Sequence, residues 1–75
     1  MIPNAISTTQ PAIGHSYTAY LCKPGRRVRK SIVYRGFEAG KYIIYDGTNQ
    51  YRAERVSSDD TEPVFQFKES DIVVE

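Results

Sequence analysis

Val64-Phe65-Gln66-Phe67-Lys68-Glu69-Ser70-Asp71-Ile72-Val73-Val74 reads as two extended segments separated by one polar step. β-branched and aromatic side chains fit a pleated, half-buried surface, and they occupy both flanks of this stretch. The four residues between them are too few for more than a single helical turn. The chain is therefore expected to end as strand, one helical turn, strand.

Working back from this end, the same chemistry recurs. The chain holds thirteen Val plus Ile against a single leucine, Leu21, and nine aromatic residues, a choice that favours strands over helices. Breakers divide it into candidate strands at 17–22, 28–34, 42–45, 50–56, 64–67 and 72–74. Pro24-Gly25 turns the chain before the second, residues 36–40 link the second to the third, and Asp46-Gly47-Thr48-Asn49 links the third to the fourth. The Asp-Gly pair is a strong hairpin signal because both residues tolerate the positive φ of tight turns. Short links between consecutive strands imply an antiparallel meander. Alternation puts Val28, Lys30, Ile32 and Tyr34 on one face and Arg27, Arg29, Val33 and Arg35 on the other. The first face is assigned to the core, with Lys30 reaching solvent near an end. Ile32, Tyr34, Ile44, Val64, Phe67 and Ile72 are the expected core. The third strand is apolar on both faces, as expected of a central strand or an interface.

A meander followed by strand, helical turn and strand resembles the layout of SH3-like small barrels. The run Lys23-Pro24-Gly25-Arg26-Arg27-Val28-Arg29-Lys30 is similar to the Gly-x-x-Val lead-in to the first barrel strand of many KOW and Tudor domains. The expected fold class is all-β: a small, partly open antiparallel SH3-like barrel over residues 17–75, with an OB-like barrel as runner-up. Residues 1–16 carry Pro3, Pro11 and Gly14 among polar residues and are expected to form a flexible N-terminal arm.

Length and composition narrow the function classes. A chain of 75 residues holds one domain with a thin core. The single cysteine, Cys22, has no intramolecular partner and the single histidine, His15, cannot build a zinc site alone. Self-association is the remaining way to reinforce so small a scaffold, so a homo-oligomer is expected. No apolar run approaches the roughly 20 residues of a membrane span and no signal-peptide pattern opens the chain, so the expected location is cytoplasmic. Asp59, Asp60 and Glu62 share a loop but lack the ligand count of a cation site. No cofactor, metal or membrane partner is expected.

Charge is distributed unevenly. Residues 1–45 carry a balance of +6 and residues 46–75 a balance of −5. Arg26, Arg27, Arg29 and Arg35 lie near Tyr34, Phe37, Tyr42 and Tyr45, and these eight are the candidate binding residues. Guanidinium groups that take phosphates beside rings that take bases are the parts of a single-stranded nucleic-acid site. In the competing arrangement Arg29 or Arg35 faces Glu54, Asp59 or Asp60, and the two halves neutralise each other.

One enzyme family enters by resemblance. Val28-Arg29-Lys30 resembles the Val-Arg-Lys run at the barrel start of type II dihydrofolate reductases, and Phe65-Gln66-Phe67-Lys68 partly matches their pore-lining Val-Gln-Ile-Tyr strand. The resemblance implies a pore formed by an oligomer. Lys68 stands where that family has tyrosine, so Gln66 receives no catalytic role. The leading expectation is a non-catalytic interaction module acting through protein contacts or self-association. The alternative is a small barrel that binds single-stranded or structured nucleic acid through the 26–35 basic strand, and a pore enzyme ranks third.

Overall fold

Pro24 and Gly25 reverse the chain between β1 (Ser16–Lys23) and β2 (Arg26–Glu38), and the hairpin's register follows directly: Lys23 pairs with Arg26, Tyr20 with Arg29 and Tyr17 with Ile32. This is a computed structural model, and it describes residues 10–58 and 60–74. The meander continues through β3 (Lys41–Tyr45), β4 (Gln50–Arg55) and β5 (Val64–Phe67), followed by a single 3-10 turn at Glu69–Asp71. Five strands run alternately up and down, so the first and last point the same way. Closure between β1 and β5 is accordingly parallel, with Ala19 opposite Phe65 and Leu21 opposite Phe67. The result is a closed all-β barrel of the small SH3-like or OB-like type rather than a partly open one. The sixth candidate strand reduces to one bridge between Ile72 and Tyr51, reinforced by the Val73 N–H donating to the Gln50 carbonyl at 2.8 Å. Among the described residues no helix is long and apolar enough to cross a membrane.

β2 runs on to Glu38, beyond the expected boundary at residue 34, because the chain inserts an extra residue between Tyr34 and Gly36. Gly36 takes φ +135°, a backbone conformation other residues rarely adopt, and Ile13 Cδ1 packs 3.8 Å from where its Cβ would stand. The bulge shifts the alternation by one, so Phe37 comes opposite Tyr42. β2 then turns into β3 through Ala39 and Gly40, both at positive φ, 52° and 80°, as a two-residue hairpin of the primed type requires.

The interior is organised around Phe65, which is fully buried. Its ring stacks on Tyr34 at 6.0 Å, meets Tyr42 at 5.2 Å and takes Tyr17 edge-on at 6.1 Å. Ala19 is small enough to leave room for it on the neighbouring strand. Ile32, Tyr34, Ile44 and Phe67 are buried as expected, and Ile72 packs against them half-buried. The placing of Val64 in the core is corrected: Phe65 and Phe67 point inward and Val64 is half-buried, since a period of two cannot put residues 64 and 67 on one face. On β3, Ile44 is fully buried and Ile43 is only 8% exposed, so the apolar character of both its faces is used within the single chain.

The arm expectation lies outside the described residues for positions 1–9. Closer to the barrel, the Gly14 N–H donates to the Tyr34 carbonyl at 2.8 Å and the Tyr34 N–H to the His15 carbonyl at 3.0 Å. The β1–β2 ladder thus continues one step past Ser16.

Asp46 fixes the turn between β3 and β4. Its Oδ1 accepts the backbone N–H of Thr48 at 2.9 Å and of Asn49 at 2.8 Å, and Lys30 Nζ lies 3.9 Å from its other oxygen. Burial pushes its carboxyl upward, but the Asn49 and Thr48 N–H groups and the Lys30 charge outweigh that and leave it below the ordinary value. A carboxyl depressed on folding contributes stability above its unfolded value, near pH 4, and loses that contribution as pH falls toward the folded value. Asp46→Asn is therefore expected to cost about 1 kcal/mol at pH 7. The gap between urea melts of the variant and the parent should narrow progressively as pH falls below about 4; a gap that stays constant from pH 7 into the acid range would refute the ionic role.

Candidate nucleic-acid interface

Alternation along β2 turns Arg27, Arg29 and Arg35 outward, opposite Ile32 and Tyr34. The tight Pro24-Gly25 hairpin sets Tyr20 of β1 directly across from Arg29. Arg27, one step along the strand, lays its guanidinium over the Tyr20 ring, with Cζ 5.2 Å from the centroid. Beyond the bulge, Arg35 does the same to Tyr45 at 5.4 Å. The Tyr45 hydroxyl donates to the Gly47 carbonyl at 2.9 Å, which holds that ring in place. Guanidinium over ring is favourable by about 0.5–1 kcal/mol at exposed sites, and it presents a flat cationic surface to solvent.

Among the described residues no carboxylate forms an ion pair with these arginines. Among the described residues the ion pairs are Lys23 with Glu69 at 3.7 Å, Lys30 with Asp46 at 3.9 Å and Lys41 with Glu54 at 2.9 Å. None uses Arg26, Arg27, Arg29 or Arg35. Glu54, an expected partner of Arg29 or Arg35, is engaged by Lys41, whose hydrogen bond and charge hold its carboxyl below the ordinary value. Asp59 lies outside the described residues. Asp60 accepts from the Ser58 hydroxyl at 2.9 Å, in a loop gathered by Arg55 through the Ser58 and Thr61 carbonyls at 2.9 and 2.7 Å. Among the described residues no three His, Cys, Asp or Glu side chains gather as a metal site.

Of the eight candidate residues, the structure brings Arg27, Arg29, Arg35 and Tyr45 onto one outer face, with Arg26 exposed at its hairpin end. Tyr34 is buried in the core, where burial raises its hydroxyl above the ordinary value, and it offers no ring to a ligand. Tyr42 is half-buried among Tyr34, Phe65 and Phe37. Phe37 is 59% exposed at the β2–β3 end of the barrel, its ring 4.8 Å from Tyr42. Tyr20 belongs to the face and was not among the eight; the Pro-Gly turn, read as a two-residue hairpin, would have set it opposite Arg29.

Round the barrel from this face lies a concavity of about 230 Å³. The two adjoin through the sheet register, which runs Arg29, Tyr20, Gln66, Glu54 across four strands. Comparison with family models, with curated proteins and with solved structures found no match.

Proposed function

We propose that this barrel is a non-catalytic binding module whose outer β1–β2–β3 face takes single-stranded nucleic acid. The observation that carries the reading is the pairing of Arg27 with Tyr20 and Arg35 with Tyr45, with no carboxylate beside any of these arginines among the described residues. Guanidinium groups with no counter-ion among the described residues can take phosphates, and their planes, backed by the Tyr20 and Tyr45 rings, can take the faces of unstacked bases. A single strand is favoured over a duplex because the net charge of +1 and a pI near 7.9 fall short of the basic balance of duplex binders.

A partner protein or a second copy is the second reading, favoured by the exposed ring of Phe37. The two readings separate in one pair of measurements on the full chain. Mobility shift with a labelled mixed-sequence oligonucleotide should give binding at 20 mM salt that weakens steeply by 200 mM, with the monomer mass by light scattering. Absence of any shift at low salt, together with a concentration-dependent mass, would overturn the nucleic-acid reading in favour of self-association.

A further inference from the structure

The concavity beside the basic face is lined by one side chain or more from each of β1, β3, β4 and β5, and its polar groups are of both signs. Cys22 Sγ lies 3.9 Å from Gln66 Oε1, which engages the amide oxygen. Lys41 Nζ donates to Glu54 Oε2 at 2.9 Å, and the Gln66 amide and the Lys68 charge add to the hold on that carboxylate. An ionised carboxylate has about four acceptor positions, so Glu54 keeps two or so open after these contacts. Arg52 and Lys68 line the same concavity, and neither has an ion-pair partner among the described residues. A ligand seated here would meet the Glu54 carboxylate beside the Arg52 and Lys68 cations, with Asp71, whose Oδ2 accepts the Lys68 backbone N–H at 2.9 Å, as a second carboxylate on the wall.

Resting on the nucleic-acid reading above, we infer that this concavity is a base-selective subsite for guanine, with Glu54 accepting from the base and Arg52 and Lys68 donating to it. Guanine presents two adjacent donors, N1–H and the N2 amino group, which match the open positions of one carboxylate. Its O6 and N7 are acceptors suited to arginine or lysine. Uracil offers a single N–H between two carbonyls. Adenine offers one amino group, which uses half of the carboxylate. Cytosine has one amino donor and uses half of the carboxylate. A free phosphate would gain from the cations but would also face the Glu54 and Asp71 carboxylates. The subsite is within reach of the basic face: Arg29 and Glu54 are three strand spacings apart by register, about 14 Å.

The test uses labelled heptauridine and three versions with a single central guanosine, adenosine or cytidine, titrated by fluorescence anisotropy against the full chain. The guanosine oligonucleotide should bind about tenfold more tightly than the other three. Glu54→Gln should reduce that preference to below about twofold while heptauridine binding holds or tightens, because a negative charge is removed and Lys41 is released; Glu54→Ala gives the same answer with no amide to form new contacts. Glu54 is exposed, so both variants should melt like the parent. Equal affinity for the four oligonucleotides, a preference for cytidine, or a guanosine preference that survives both variants would overturn the subsite while leaving the nucleic-acid function standing. Failure of all four to bind would overturn both.

Discussion

Replacing Arg27, Arg29 and Arg35 together with alanine is expected to weaken oligonucleotide binding by on the order of 100-fold at low salt. Loss of about 1 kcal/mol for each solvent-exposed ion pair with phosphate, at about 1.4 kcal/mol per tenfold, gives that scale. The salt dependence should flatten in step, since each phosphate contact on a single strand contributes about 0.7 to the slope of log affinity against log salt; three lost contacts lower it by about 2. Folding should survive, because all three side chains are exposed and carry no ion pair among the described residues. The stability loss is confined to the two guanidinium–ring contacts, about 0.5–1 kcal/mol each. The matching lysine variant sharpens the test. Lysine keeps the charge but not the planar group that covers Tyr20 and Tyr45, so the slope should be retained while part of the affinity is lost. Unchanged affinity in the alanine variant would remove this face from the binding surface.

The fold was largely legible in the sequence because its decisive signals are local. Pro24-Gly25 and Asp46-Gly47 mark the turns, and the Val28, Ile32, Tyr34 alternation marks an inward face; the structure keeps these. What was not legible depends on one inserted residue. The bulge between Tyr34 and Gly36 lengthens β2 and changes which side Phe37 takes, and period-two counting cannot see it. The arginines of the candidate site could be read from β2 alone. Tyr34 could not serve beside Arg35, because adjacent residues on a strand point to opposite faces. Tyr20 becomes visible only when β1 is paired with β2. The concavity is further from view, since Cys22, Lys41, Arg52, Glu54 and Gln66 come from four strands, and only barrel closure by the parallel β1–β5 pair brings them together.

Phe65→Ala is expected to abolish cooperative folding at 25 °C. Emptying a fully buried phenylalanine site typically costs about 3–5 kcal/mol, and here the same ring is the common partner of Tyr17, Tyr34 and Tyr42. Ala19, opposite it on β1, is too small to fill the space, and Ile32 and Ile44 are already packed without exposure beyond 1%. A single core in a domain this small rarely supplies more than about 3–5 kcal/mol in total, so the loss equals the whole margin. Val64→Ala provides the contrast. Its side chain is half-buried on the outer side of the same strand, and the change should cost about 1 kcal/mol or less. Circular dichroism melts decide between them: the Val64 variant should retain a sharp transition a few degrees lower, and the Phe65 variant should show none. Comparable melting of the two variants would mean that the chain is not held together by the ring cluster around Phe65.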